Sequence, residues 1–161
     1  MFAKQRTLWR DERGSALIEA TVLTPVLFVL VFGVLEFSWY FYNQHRVSTG
    51  IRDAARYLSR VSDPTDRRLQ SNAKNLAVTG SISGGKARVE DWSTGEVTVD
   101  VKSIENPTRD DNSRRYRGDA TIQVVTVSTT LAYPSLGLLG FLRLPPLEIS
   151  IAHSARAIGP G

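Results

Sequence analysis

Three residues at the head of an apolar run hold the most suggestive chemistry in this sequence: Gly14, Ser15 and Glu19, within R-G-S-A-L-I-E. Glu19 is a carboxylate at the edge of a stretch that carries no other charge until Glu36. An ionisable side chain in such a segment is costly in hydrocarbon, so it marks a functional site by default. Residues i and i+4 are neighbours on a helix, which puts Ser15 and Glu19 on one face. Negative charge is also favoured near a helix N-terminus, by roughly 0.3–1 kcal/mol when exposed. Gly14 lacks a side chain and leaves the backbone open to close approach. The plainer account is that Gly14 caps the helix and Glu19 snorkels to the interface.

Other chemistry is missing. The 161 residues include no cysteine, so structural disulfides and thiolate metal sites are excluded. His45 and His153 are the two histidines, and alone they have no metal-ligand spacing. Gly80-Ser81-Ile82-Ser83-Gly84 has isoleucine where a nucleophile elbow needs serine. No phosphate loop or dinucleotide fingerprint occurs. We therefore expect no cofactor, no metal and no enzymatic activity.

The charge is unevenly spread. Lys4, Arg6, Arg10 and Arg13 against Asp11 and Glu12 give residues 1–14 a net +2; residues 15–42 carry −2 and the remainder +4. From Ala20 to Leu35 nothing is charged, and Ala16 to Tyr42 is apolar apart from Glu19, Glu36 and small polar side chains. About 20 such residues cross a bilayer as a helix, with every backbone group paired internally. Phe37, Trp39, Tyr40, Phe41 and Tyr42 form an interfacial aromatic cluster at the far end. The basic leader predicts a cytoplasmic N-terminus and places everything after about Tyr42 outside, in a periplasm or its equivalent. The run is too long for a cleaved secretory signal and ends in bulky residues, not an A-x-A site. Pro25 lies inside it and predicts a kink or loosened turn near Thr21–Thr24.

A basic leader, Gly14-Ser15, Glu19 and an abutting apolar helix together resemble the type IV prepilin signature. The resemblance implies that a prepilin peptidase cuts between Gly14 and Ser15. Glu19 would then be the fifth mature residue, able to neutralise the new Ser15 amine and set subunit register. The stretch Arg13 to Leu58 is similar, more narrowly, to the TadE-like family of pilin-related proteins. The motifs that carry this are Gly14 to Glu19, Pro25, Gly33-Val34-Leu35-Glu36-Phe37 and Ala54-Ala55-Arg56-Tyr57. That resemblance implies a minor pilin or pseudopilin of the tight-adherence (Tad, Flp-type) pilus. Its implied partners are the prepilin peptidase, other minor pilins, the major Flp-type pilin, the inner-membrane assembly platform and membrane lipid.

Beyond the span, Val47, Ile51, Ala54, Leu58 and Val61 form a helical stripe, with Arg46, Arg52, Asp53, Arg56 and Arg60 off it. Gly50 reads as a weak point, worth up to about 1 kcal/mol. This helix should end near Ser62, since Pro64 disfavours helix at Asp63. Thr65-Asp66 can cap a second helix carrying Leu69, Ala73, Leu76 and Ala77 and stopped by Gly80. Residues 43–80 are thus extramembrane helices and 81–161 a β-rich domain. Its expected strands are Ala87–Trp92, one around Val97, Val99 and Val101, Ala120–Tyr133, and a last strand from Leu147 that could reach Ile158. Glu105 to Gly118 reads as an exposed loop. The fold class is α+β: a long N-terminal helix packed on a small antiparallel sheet.

Two segments could form interfaces. Leu136, Leu138, Leu139, Phe141, Leu142 and Leu144 crowd the connection from Pro134 to Pro146, which either meets a partner or folds over the edge or end of the sheet. Arg114-Arg115-Tyr116-Arg117 could grip nucleic acid. Asp110, Asp111 and Asp119 flank it, the predicted topology places it outside the cytoplasm, and a solvated loop is the expectation, with no nucleic-acid partner. Two functions remain open: a processed pilus subunit, or an unprocessed, signal-anchored periplasmic scaffold or binding module.

Overall fold

A computed structural model describes residues 12–109, 113–116 and 120–158, with side chains from residue 14 onward. The helix α1 runs from Glu12 to Arg60. Its 49 residues make it about 74 Å long at 1.5 Å per residue. It passes Pro25 as one continuous helix, where a loosened turn was expected. Around that point the Thr21 and Thr24 hydroxyls donate to the carbonyls of Leu17 and Ala20. Each is the back-bonding of a threonine hydroxyl to the carbonyl one turn earlier.

The first half of α1 projects free of the domain. Its most apolar 18-residue window has a mean hydropathy of 2.3 and is not buried by the rest of the chain. A core helix of a soluble domain would be covered; this one is long and apolar enough to cross a membrane. The second half lays Val47, Ile51, Ala54, Ala55 and Leu58 fully into the core.

Asp63 and Pro64 turn the chain, and α2 spans Arg67–Thr79. Asp66 caps it by accepting from the Arg68 and Leu69 amides, and Gly80 closes it in the left-handed conformation. Ala73, Ala77 and Val78 bury its inner face. The crossing is close because of Gly50. A Cβ there would collide with the Ala77 carbonyl oxygen and come within 2.9 Å of the Trp92 ring. The glycine read as a weak point is a contact residue.

Three antiparallel strands follow in the order β1-β2-β3: Val97–Glu105, Thr121–Ala132 and Glu148–Arg156. Val99 pairs with Val127 and Val127 with His153, so alternate residues face α1 and α2. Val125, Val127, Leu131 and Ile149 are buried there. The opposite face is polar and includes the hydroxyl pairs Thr126–Ser154 and Thr130–Ser150. The expected α+β architecture is present.

One expectation about the β region needs correction. Ala87–Trp92 is a series of bends and turns, not a strand. Asp91 has φ +60°, and the segment curls to sink Val89 and Trp92 into the core, where Trp92 Nε1 donates to Thr129 Oγ1 at 3.1 Å. The exposed loop after β1 is tied down by buried Asn106, whose side chain donates to the Tyr116 carbonyl and accepts from the Tyr116 amide. Thr108 and Arg114 bridge across it.

Candidate functional site

The site is built where α1 leaves its free half and meets the domain. Glu36 is 5% exposed although it follows a wholly apolar run. Its carboxylate accepts the amides of Leu136 at 3.0 Å and Leu138 at 3.3 Å, and its backbone carbonyl accepts the Tyr133 hydroxyl at 3.0 Å. One turn on, Trp39 Nε1 donates to the Pro134 carbonyl at 2.9 Å. Two adjacent helical turns therefore hold the apolar connection from Pro134 to Pro146. Burial, and after it the nearby Glu36 carboxylate, push the Tyr133 hydroxyl above its ordinary value of 10.0.

The connection folds against both the end of the sheet and α1. It contains a short helix, α3 (Leu138–Phe141), and Leu139 packs on the core. Leu136, Phe141, Leu142 and Leu144 remain exposed. Between them and α1 lies an open cavity of about 610 Å³, lined by Pro25, Phe28, Phe32 and Leu35 on one side and Leu136 and Phe141 on the other. The predicted aromatic cluster divides at this level. Trp39 and Tyr40 pack on the domain, Tyr40 edge-on to Tyr133, while Phe37, Phe41 and Tyr42 face outward.

The remaining motif residues have separate surroundings. Ala54 and Ala55 are fully buried, Tyr57 packs on the core margin, and Arg56 is exposed. A Cβ at Gly33 would meet nothing within 4 Å, so packing within this chain does not explain that glycine. Gly14, Ser15 and Glu19 lie exposed on the first turns of α1, far from the domain. Of the basic loop, Arg114, Arg115 and Tyr116 are exposed, and Arg156 lies over the Tyr116 ring at 5.6 Å; Arg117 is outside the described residues. Among the described residues no group of acidic and histidine side chains could hold a metal ion.

Sequence reasoning misses the Glu36 clamp and finds in Glu36 only a motif position. The signal available was a carboxylate placed where water is scarce, which demands partners. Those partners are amides a hundred residues away, and an amide has no sequence signature.

An apolar helix of membrane-spanning length, the one such helix among the described residues and continuous with a small α+β domain, is the form of a membrane-anchored protein. The TadE-like protein family model matches residues 14–56, from Gly14 to the arginine of Ala54-Ala55-Arg56. Over that segment the chain is similar to TadE-like proteins, the family whose motifs the sequence carries. No curated protein gives a significant match. No solved structure does either.

Proposed function

We infer that this chain is a minor pilin or pseudopilin of a Tad pilus, cut between Gly14 and Ser15 and packed with other pilins through the free half of α1. The observation that carries this reading is the family match beginning at Gly14, on a helix that presents Glu19 one turn after Ser15. Cleavage would expose an amine at Ser15, mostly protonated near neutral pH given an ordinary pKa of about 8. Glu19, of the same chain or a neighbour, would pair with it. A paired charge in the bilayer is far cheaper than a lone one. The leader would stay cytoplasmic and the domain would stand in the periplasm. The prepilin peptidase, the assembly platform and the major Flp-type pilin would be the partners.

The test is complementation of a host lacking the chain. Glu19→Ala should leave cleavage largely intact yet reduce surface pili, counted by electron microscopy, to the level of the deletion. Wild-type piliation in that variant would contradict the role given to Glu19.

A further inference from the structure

We propose that the connection from Pro134 to Pro146 is a second membrane contact, seated among lipid acyl chains beside the distal half of the span. The proposal rests on the reading that α1 crosses a membrane. The depth follows from the helix itself. A bilayer core takes about 20 helical residues. Every 20-residue window between Ala16 and Tyr42 contains Pro25 through Leu35. Pro25, Phe28, Phe32 and Leu35 line one wall of the cavity whose other wall is Leu136, Leu138 and Phe141. Whatever the register of α1, that wall lies within hydrocarbon, and the connection stands against it.

Its composition fits that depth. Phe141 is 80% exposed and Leu136 58%, and Leu142, Leu144 and Leu147 continue the surface. In water this would be a large apolar patch on one side of the domain. Arg143 is the sole charge between Pro134 and Leu147. A long basic side chain at this level can carry its charge to the headgroups.

The backbone is the more demanding test, because an unpaired amide in hydrocarbon costs several kcal/mol. Pro134, Pro145 and Pro146 have no amide hydrogen. Phe141, Leu142, Arg143 and Leu144 donate to carbonyls within the connection. Leu136 and Leu138 donate to Glu36. Six of the ten amides from Ser135 to Leu144 are thus paired within the chain, two of them by the clamp. Two contacts with the bilayer, one spanning and one peripheral, would fix the tilt of the domain.

The chain has no cysteine, so single cysteines report without background. The full chain would be reconstituted in phosphatidylcholine–phosphatidylglycerol vesicles with an NBD fluorophore on Phe141→Cys, on Leu27→Cys in the span, or on Thr98→Cys on the polar face of the sheet. Position 141 should be quenched by lipids spin-labelled on the acyl chain and shielded from aqueous iodide, like position 27 and unlike position 98. This should hold across lipid-to-protein ratios. Iodide quenching at 141 with lipid quenching at 27 would overturn the proposal and leave the span intact. Iodide access at both would overturn the membrane reading along with it. Shielding of 141 from both quenchers, or only at low lipid content, would show a second copy of the chain on the patch and overturn the proposal.

Discussion

Glu36 joins the free half of the helix to the domain through two amides and a tyrosine hydroxyl. Removing a carboxylate from partly buried donors leaves them unsatisfied, at about 1–3 kcal/mol. Glu36→Ala should therefore speed hydrogen exchange at Leu136 and Leu138 and lower the Tm, and Glu36→Gln, keeping one acceptor oxygen, should fall between. Unchanged exchange in the alanine variant would remove the clamp from the account. Tyr133 adds a pH dependence. Its folded-state pKa is raised from 10.0, so its contribution is complete below pH 10.0 and is lost as pH rises above that value. Stability of the wild type should decline through that alkaline range, and Tyr133→Phe should flatten the decline. At this scale the sequence was uneven. Gly14, Ser15 and Glu19 stood out because a carboxylate in an apolar run is conspicuous on its own. Glu36 was equally conspicuous, yet its role depends on backbone groups brought near only by the fold.

At the scale of elements, the helical stripe from Val47 to Leu58, the Asp66 and Gly80 caps of α2 and the alternation in β1 and β3 were all legible. Each rests on local periodicity or local hydrogen bonding. Ala87–Trp92 misled because Ala87 and Val89 have strand alternation, while the turn at Asp91 brings Trp92, three residues on, into the same core. Gly50 misled for the opposite reason: propensity is local, and the carbonyl of Ala77 that crowds it belongs to another helix. Gly50→Ala should gain up to about 1 kcal/mol of helix propensity and lose more, about 1–3 kcal/mol, to overpacking. A lower Tm in detergent is expected, while Gly33→Ala, with open space around its Cβ, should leave the Tm unchanged or raised. A higher Tm for the alanine at position 50 would contradict the close α1–α2 crossing.

The whole molecule is one long helix used twice, first as an exposed apolar rod and then as the central support of a small sheet. The amphipathic change along α1 was readable because apolar residues go all round before Leu35 and on one stripe after Val47. The place of the apolar connection beside the rod was not, since it depends on where β2 ends and β3 begins in space. An anchor built this way, TadE-like from Gly14 to Arg56, is in our account an assembly element released by a cut. The direct measurement is the intact mass and N-terminal sequence of the chain purified from its native host. Our account predicts a chain beginning at Ser15 and retaining 147 of the 161 residues; a chain still carrying residues 1–14 in a wild-type host would contradict it.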